Sequence, residues 1–338
     1  MKRAIKHQRG FTLVELMVAT GIGLMMTAVI VTVFGQSTQS SKVNQARNEI
    51  QEQARVALDT LQRDLRQAGY IGCNSNRVLN SGGLVNTTSG PNSYRNNIAV
   101  FMQGYEGTGA SFSPAAPGAV TGASPAASPI NDAVTVRIPS GQPVSLNGTM
   151  ASSTAVIPVF STAGFTAGST RAVIGDCAQS SVFVVTGLAG GLEHNNGAFN
   201  STADLGRAYG PDAMVVPFDT ISYYVAPSSF SGENSLWRRV GTAANSEEVA
   251  EGVEDFQLTY GQDTNGDNFA DVFTPADAVA NWRQVVSVRA SLLLRSKANT
   301  TAQTTQPYNF NGATTIAPPD RRLRRPFNVT VQLRNRTI

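Results

Sequence analysis

The chain has 338 residues, of which 41% are hydrophobic and 14% are charged, with a formal net charge of +3. This apolar content excludes an intrinsically disordered protein, and the length is sufficient for a sizeable globular core. Four positive charges lie in the first ten residues, and subtracting these four from +3 leaves −1. The basic balance is therefore no argument for nucleic-acid binding.

An apolar segment runs from Phe11 to Phe34 and contains one charged residue, Glu15. A helix of this length measures roughly 36 Å and can cross a hydrocarbon core of about 30 Å. Basic residues precede it, so the positive-inside rule predicts residues 1–10 in the cytoplasm and the bulk of the chain outside. A cleavable secretory signal fits poorly, because the apolar run is too long and no Ala-x-Ala site follows. A carboxylate within a membrane costs about 3 kcal/mol, so Glu15 needs a cationic partner.

The helix is predicted to continue through residues 35–69 as an amphipathic segment. Apolar residues recur at spacings of three and four, which is the period of one helix face. They are Val43, Ala46, Ile50, Ala54, Ala57, Leu61, Leu65 and Ala68. Gly69 is placed to end the helix in a left-handed cap. We expect a sheet to pack against this face.

Residues 70–338 are predicted to form a β-rich globular domain. Short runs of β-branched and aromatic residues alternate there with Gly, Pro, Asn and Asp. The predicted strands are 98–102, 133–138, 155–160, 181–186, 213–218, 220–225, 235–240, 256–260, 282–295 and 327–333. Residues 107–129 and 297–320 are predicted to be surface loops. The fold class is α+β, with the long helix packed on one face of an antiparallel sheet.

Two cysteines, Cys73 and Cys177, follow the membrane segment. An oxidising compartment makes a disulfide between them the expected outcome, and two unpaired buried thiols are the alternative.

One acidic segment has the ligand spacing of a calcium loop. Asp263, Asn265, Asp267 and Asp271 offer side-chain oxygens at alternate positions, and Phe269 offers a backbone carbonyl. Asn replaces the glycine of such loops, Thr replaces the bidentate Glu, and no helix enters the segment. A metal-free acidic turn carries equal weight, so calcium is an open prediction and no cofactor is certain.

The sequence offers no material for catalysis. His7 lies in the first ten residues and His194 stands alone, which excludes a His-based triad or zinc site. The glycine-rich turn 187–191 opens no recognisable helix, so it lacks the pattern of a phosphate loop. The basic run 321–325 has no interleaved aromatic residues for nucleic acid. A solvated strand entry or a salt-bridging subunit contact is the favoured interpretation of that run.

Residues 10–15, Gly-Phe-Thr-Leu-Val-Glu, resemble the class III signal of type IV pilins. The resemblance implies that a prepilin peptidase cleaves after Gly10 and methylates the new amino terminus at Phe11. The apolar segment then stays as an anchor and later as filament core. It also implies that the Phe11 ammonium of one subunit pairs with Glu15 of a neighbour and fixes the filament register. An ordinary signal anchor with a stray acid is the alternative.

Two further segments resemble the PilW family of minor pilins. Residues 61–73 read LQRDLRQAGYIGC, and within 260–289 a Tyr-Gly-x-Asp-x-Asn-Gly-Asp run precedes Trp-Arg-x-Val-x-x-Val-Arg. The resemblance implies a type IV pilin-like fold in four parts. These are a cleaved leader (1–10), a transmembrane and filament-core helix (11–34), an amphipathic helix (35–69) and an extracytoplasmic β-rich domain (70–338).

The same resemblance implies a minor pilin that primes pilus assembly and sits near the pilus tip. Its implied partners are the prepilin peptidase, other minor pilins, the major pilin, the inner-membrane assembly platform and a tip adhesin. The chain would reside in the inner membrane and then in the pilus on the cell surface. A J-type minor pseudopilin of a type II secretion system and an adhesive or DNA-binding tip module are the alternatives.

Overall fold

The computed structural model describes residues 10–72, 83–90, 93–241, 246–297, 302, 304–315 and 318–335. Except for Gly10, the predicted leader lies outside these residues. The described elements begin with a long helix, α1 (Leu13–Gln67), and include a short helix, α2 (Gly118–Thr121). The first eight strands are β1 (Leu84–Asn86), β2 (Met102–Gly107), β3 (Phe112–Ser113), β4 (Ala133–Pro139), β5 (Val144–Ser145), β6 (Arg171–Gly175), β7 (Ser180–Val184) and β8 (Met214–Pro227). The others are β9 (Asn234–Val240), β10 (Ser246–Glu251), β11 (Val253–Gln262), β12 (Val272–Thr274), β13 (Val285–Arg295), β14 (Tyr308–Phe310), β15 (Ala313–Thr315) and β16 (Arg324–Gln332).

The second half of α1 buries the predicted apolar stripe. Its buried residues are Ala46, Ile50, Ala54, Ala57, Leu61, Asp64 and Leu65. The prediction of an amphipathic half-helix is confirmed, although the acid at Asp64 interrupts the apolar face. Gly69 follows with φ of 75°, and its N–H donates to Arg137 O of β4 at 3.1 Å. The helix therefore ends where the chain meets the sheet.

Two main sheets share one core with the helix. The larger has the order β1-β7-β6-β8-β4-β2-β3, with β5, β9 and β10 attached, and the smaller has the order β12-β11-β13-β16. The core takes Leu61 and Leu65 from the helix, Val134 and Tyr223 from the larger sheet, and residues such as Phe256 from the smaller one. The predicted α+β architecture is confirmed. The prediction of a single antiparallel sheet was wrong. There are two main sheets, and β1 pairs with β7 in parallel.

The middle of the chain forms a second core that the sequence pattern did not reveal. Long loops fold over β6, β7 and the start of β8 and bury residues including Ile157, Phe183, Leu192 and Tyr209. The predicted strand 155–160 was wrong, because Ile157 and Val159 form only isolated bridges to Leu192 and Leu146. The loop residues still need backbone partners, which these bridges supply.

Several other boundaries differ from the prediction. Residues 98–101 form a turn, and the strand begins at Met102. Residues 282–284 form a single 3-10 turn ahead of β13. The predicted loop 297–320 contains the β14–β15 hairpin, whose turn at Asn311 and Gly312 has positive φ at both residues. Asn-Gly is the preferred pair for that turn, so the signal was present in the sequence.

Candidate assembly site

The start of α1 brings the predicted processing residues together with the acid. Gly10 and Phe11 are exposed and directly precede the N-cap Thr12. Thr12 Oγ1 accepts a hydrogen bond from Glu15 N at 3.2 Å, and Thr12 N donates to Glu15 Oε2 at 3.0 Å. This reciprocal capping box satisfies two N–H groups that a helix start leaves unpaired. The Thr-x-x-Glu spacing of residues 12–15 is its sequence signature, although the cap was not predicted.

The capping box changes the role expected for Glu15. Its carboxylate already has a local partner, since Oε2 also accepts a bond from the Thr12 hydroxyl at 3.1 Å. Among the described residues, Oε1 of Glu15 accepts no hydrogen bond. One oxygen thus fixes the helix start and the other is open to a second donor. Pairing with the Phe11 ammonium stays a prediction.

The first half of α1 has an apolar surface that no described part of the chain covers. It contains a strongly apolar stretch with no buried residue, and the helix is long enough to cross a membrane. Its exposed large side chains run from Leu13 to Phe34. An apolar surface of this size requires lipid or other protein around it. The same segment can therefore serve as an anchor and as a packing surface between subunits.

A buried polar cluster fixes the second half of α1 to the larger sheet. Asp64 Oδ2 accepts hydrogen bonds from Tyr223 Oη at 2.6 Å and from Arg238 Nε at 2.7 Å. Asp64 is almost fully buried, and Tyr223 and Arg238 belong to β8 and β9. Because a buried carboxylate without partners is costly, this geometry holds the helix in one register on the sheet. Asp64 was not predicted as a functional residue, because its sequence signal is only that of an acid on an apolar face.

The basic run 321–325 forms ion pairs within the chain. Arg324 Nε lies 2.6 Å from Glu254 Oε2, and its Nη1 lies 2.6 Å from Asp320 Oδ1. Arg322 Nη2 lies 2.9 Å from Glu233 Oε1. The interpretation of a solvated strand entry was wrong for Arg322 and Arg324, which lock β16 to β11 and to the β8–β9 turn. Arg325 is exposed.

The Asp263 loop joins β11 to β12 and is held by its own hydrogen bonds. Asp263 accepts from Gly266 N at 2.6 Å and from Asn268 N at 2.9 Å. Asn265 Nδ2 donates to Asp267 Oδ2 and to Asp271 Oδ1, at 3.1 Å in both cases. Asn268 has φ of 68°, as the glycine-like position requires.

The same hydrogen-bonded turn includes Asp267 and Phe269. Phe269 is exposed, and its N–H donates to Asp267 Oδ1 at 2.8 Å. Within the described ranges, no group of three or more His, Cys, Asp or Glu residues is arranged to hold a metal ion. Calcium stays a prediction from spacing, which a titration with a chelator control would test.

Cys177 and His194 lie away from the helix start. Cys177 is in the β6–β7 turn and is not a free thiol, while Cys73 lies outside the described residues. The disulfide between them stays a prediction. His194 is buried, its Nε2 lies 2.8 Å from Ala155 O, and its ring meets Phe183 edge-on. Burial lowers its pKa, which is typical of a structural histidine. The structure does not bring the helix start, the Asp263 loop and Cys177 together.

Comparison with known proteins gives matches at both ends of the chain. The family described as Prokaryotic N-terminal methylation motif matches residues 5–31, and the family described as Type IV Pilus-assembly protein W matches residues 222–335. The resemblance to type IV pilins is confirmed. The first match contains the capping box and most of the exposed apolar half of α1. The PilW match contains Arg238 of the Asp64 cluster and the whole four-stranded sheet.

Two proteins of Thermus thermophilus are similar to this chain. "Pilin-like protein PilA3" of Thermus thermophilus is 39% identical over 62 residues, which are 18% of this chain and 27% of that protein. The match thus spans about a quarter of the length of this curated relative. A solved type IV-like pilin, also from Thermus thermophilus, is 12% identical with a TM-score of 0.33 and covers 85% of this chain and 96% of its own.

Proposed function

We propose that the chain is a minor pilin that helps to prime type IV pilus assembly and is incorporated in the pilus near its tip. The observation that carries this proposal is the uncovered apolar half of α1, which begins with a prepilin-type segment, while the second half of the same helix packs on the domain that contains the PilW match. A helix of this kind can move from lipid into a filament core without exposing its apolar surface to water.

In this proposal the N-terminus lies in the cytoplasm, the apolar half of α1 crosses the inner membrane, and the β-rich domain lies in the periplasm. A prepilin peptidase cleaves after Gly10 and methylates Phe11. The new ammonium then meets the open Oε1 of Glu15 on a neighbouring subunit. Because both charges leave water, their pairing is geometrically demanding, and it selects one axial position between neighbouring helices.

The Asp64 cluster has a mechanical role in the same proposal. The assembly platform and the neighbouring pilins hold the helix, whereas a tip adhesin would contact the globular domain. Asp64, Tyr223 and Arg238 join the two parts through hydrogen bonds of 2.6 Å and 2.7 Å. Force applied to the domain is thus transmitted to the helix.

The alternatives receive less support. A J-type pseudopilin of type II secretion shares the signal and the long helix, but residues 222–335 match a family described as a pilus-assembly protein. A DNA-binding tip module would use the basic run, and its Arg322 and Arg324 are engaged in intramolecular ion pairs. We therefore favour the minor-pilin function over the pseudopilin and the DNA-binding module.

Complementation of a strain that lacks the chain tests the proposal. Glu15→Ala should be cleaved normally but should restore few pili, because removal of one partner of a buried ion pair costs about 3–5 kcal/mol. Glu52→Ala, on the exposed side of the same helix, is the matched control and should restore pili. Pilus counts by electron microscopy and a secretion assay are the measurements. Normal piliation with Glu15→Ala would contradict the pairing, and a defect in secretion alone would favour the pseudopilin.

A further inference from the structure

The last strand of the chain forms an open edge of the smaller sheet. β16 is nine residues long and pairs with β13 on one side, and it is the terminal strand in the order β12-β11-β13-β16. The β14–β15 hairpin lies beside its beginning, where the Arg324 guanidinium sits 5.5 Å from the Tyr308 ring centroid. Beyond that point Asn328, Thr330 and Gln332 are exposed.

Two hydrogen bonds at the ends of the β13–β16 pair show which backbone groups of β16 point toward β13 and which point away from it. Leu333 N donates to Val286 O at 2.9 Å, and Ser296 N donates to Leu323 O at 2.8 Å. Hydrogen-bonded residues alternate along an antiparallel pair, so the odd-numbered residues between these ends bond to β13. The even-numbered residues direct N–H and C=O outward. Pro326, which has no N–H, stands at an even position.

Within the described residues, the other sheet edges are short or covered. β1, β3 and β12 have two or three residues each. β10 carries Glu247, Glu248 and Glu251, and its Glu251 N donates to Gln53 Oε1 of α1 at 3.0 Å. Proteins normally protect their edge strands in these ways, because an unprotected edge pairs with other chains. From Phe327 to Gln332, β16 carries no charge, and no element among the described residues pairs with its outer edge.

The direction of β16 restricts what can pair with it. Leu323, just before the strand, shares a groove with Val43 and Arg47 of α1, whereas Asn335, just after it, donates to Ala68 O at 3.0 Å. The strand therefore runs alongside α1 in the same direction. Antiparallel pairing of two copies would reverse one helix relative to the other. Two copies anchored in one membrane with the same topology cannot meet in that way.

We propose that the open edge of β16 accepts an extended strand from a different subunit of the same pilus assembly. This inference rests on the proposed minor-pilin function. The recognised chemistry is a backbone in β conformation, which pairs with the outward N–H and C=O groups of Asn328, Thr330 and Gln332. The added strand continues the sheet that lies on α1, so it joins the two globular domains directly beside their helices.

Proline substitution at an even-numbered residue of β16 tests the pairing, because it removes an N–H that points away from β13. In the full-length chain, Thr330→Pro removes an outward N–H and leaves the bonds to β13, whereas Thr330→Val changes the side chain and keeps the N–H. Asn328→Pro is a second outward variant. We expect about tenfold fewer pili with either proline, which is the factor that loss of one or two backbone hydrogen bonds makes in an association constant. Thr330→Val should restore pili, and immunoblots should find all chains at wild-type level.

Photocrosslinking identifies the subunit that pairs with the edge of β16 and needs no proline variant. A benzoylphenylalanine in place of Thr330, in the full-length chain within assembled pili, should form an adduct with another pilin subunit. Normal piliation with both prolines, equal loss with Thr330→Val, or an adduct between two copies of this chain would each overturn the proposal. If the deletion strain itself makes normal pili, the proposed function fails. If that strain is bare and both prolines are harmless, only the strand acceptor fails.

Discussion

The two halves of α1 are built from similar apolar residues and lie in opposite environments. Leu24 in the first half is 73% exposed, and Leu61 in the second half is fully buried. The first half is apolar around its circumference, whereas the second has one apolar face and one charged face. A continuous helix can thus belong to a folded domain at one end and depend on lipid or neighbouring subunits at the other.

The acids in the two halves follow the same division. Asp64 finds a tyrosine and an arginine of its own domain, whereas the described partners of Glu15 are the N–H and hydroxyl of Thr12. An acid with in-chain partners stabilises the fold. Under the proposed function, the open oxygen of Glu15 contacts a neighbouring subunit.

The largest expected effect comes from breaking the Asp64 cluster. Asp64→Ala leaves the Arg238 charge without its buried partner and should lower the free energy of unfolding by about 3–5 kcal/mol. Asp59→Ala, on the exposed face of the same helix half, should cost less than about 1 kcal/mol. Urea unfolding of the detergent-solubilised chain measures both. Equal effects would show that Asp64 does not anchor the helix.

A pair of identical truncations compares the halves directly. Leu61→Ala creates a cavity in the shared core and should cost about 2–5 kcal/mol. Leu24 is 73% exposed and belongs to none of the described core clusters, so Leu24→Ala should leave the unfolding midpoint of the globular domain unchanged. Urea unfolding of the detergent-solubilised chain measures both effects. A destabilising Leu24→Ala would mean that the first half of the helix packs on its own domain.

A third acid, Asp132, gives the domain a pH dependence. It lies between the two sheets and accepts bonds from Gly107 N at 3.0 Å and Leu258 N at 2.7 Å. Burial nevertheless raises its pKa from 3.8 to about 7. Between pH 3.8 and about 7, the native state thus holds a proton that the unfolded chain has released. The contribution of this proton to the free energy of unfolding is full below pH 3.8 and is lost as pH rises through about 7.

Replacing Asp132 isolates its contribution to the pH dependence of stability. From pH 5 to pH 8, the unfolding free energy of wild type should fall relative to that of Asp132→Asn, which does not titrate. Urea midpoints at several pH values supply the measurement. Parallel pH profiles for the two proteins would exclude Asp132 as the titrating group.

The sequence predicted most where a single period or motif dominates. The heptad-like spacing from Ala46 to Leu65 located the buried face of α1, and the alternation in β13 and β16 located the smaller sheet. Residues 80–200 were less predictable, because their core is built from loops, and Arg171–Gly175 is too short to show alternation. Asp64 was missed because its partners Tyr223 and Arg238 are distant in sequence. The Thr12 cap was present as a local motif and was overlooked.

The most direct test of the central claim is mass spectrometry of the N-terminal peptide from purified pili. If the uncovered half of α1 is a pilin assembly segment, the chain should be present in sheared pili and should begin with N-methylated Phe11. A chain that retains Met1, that is cut elsewhere, or that is missing from pili and found only in the membrane would contradict the account.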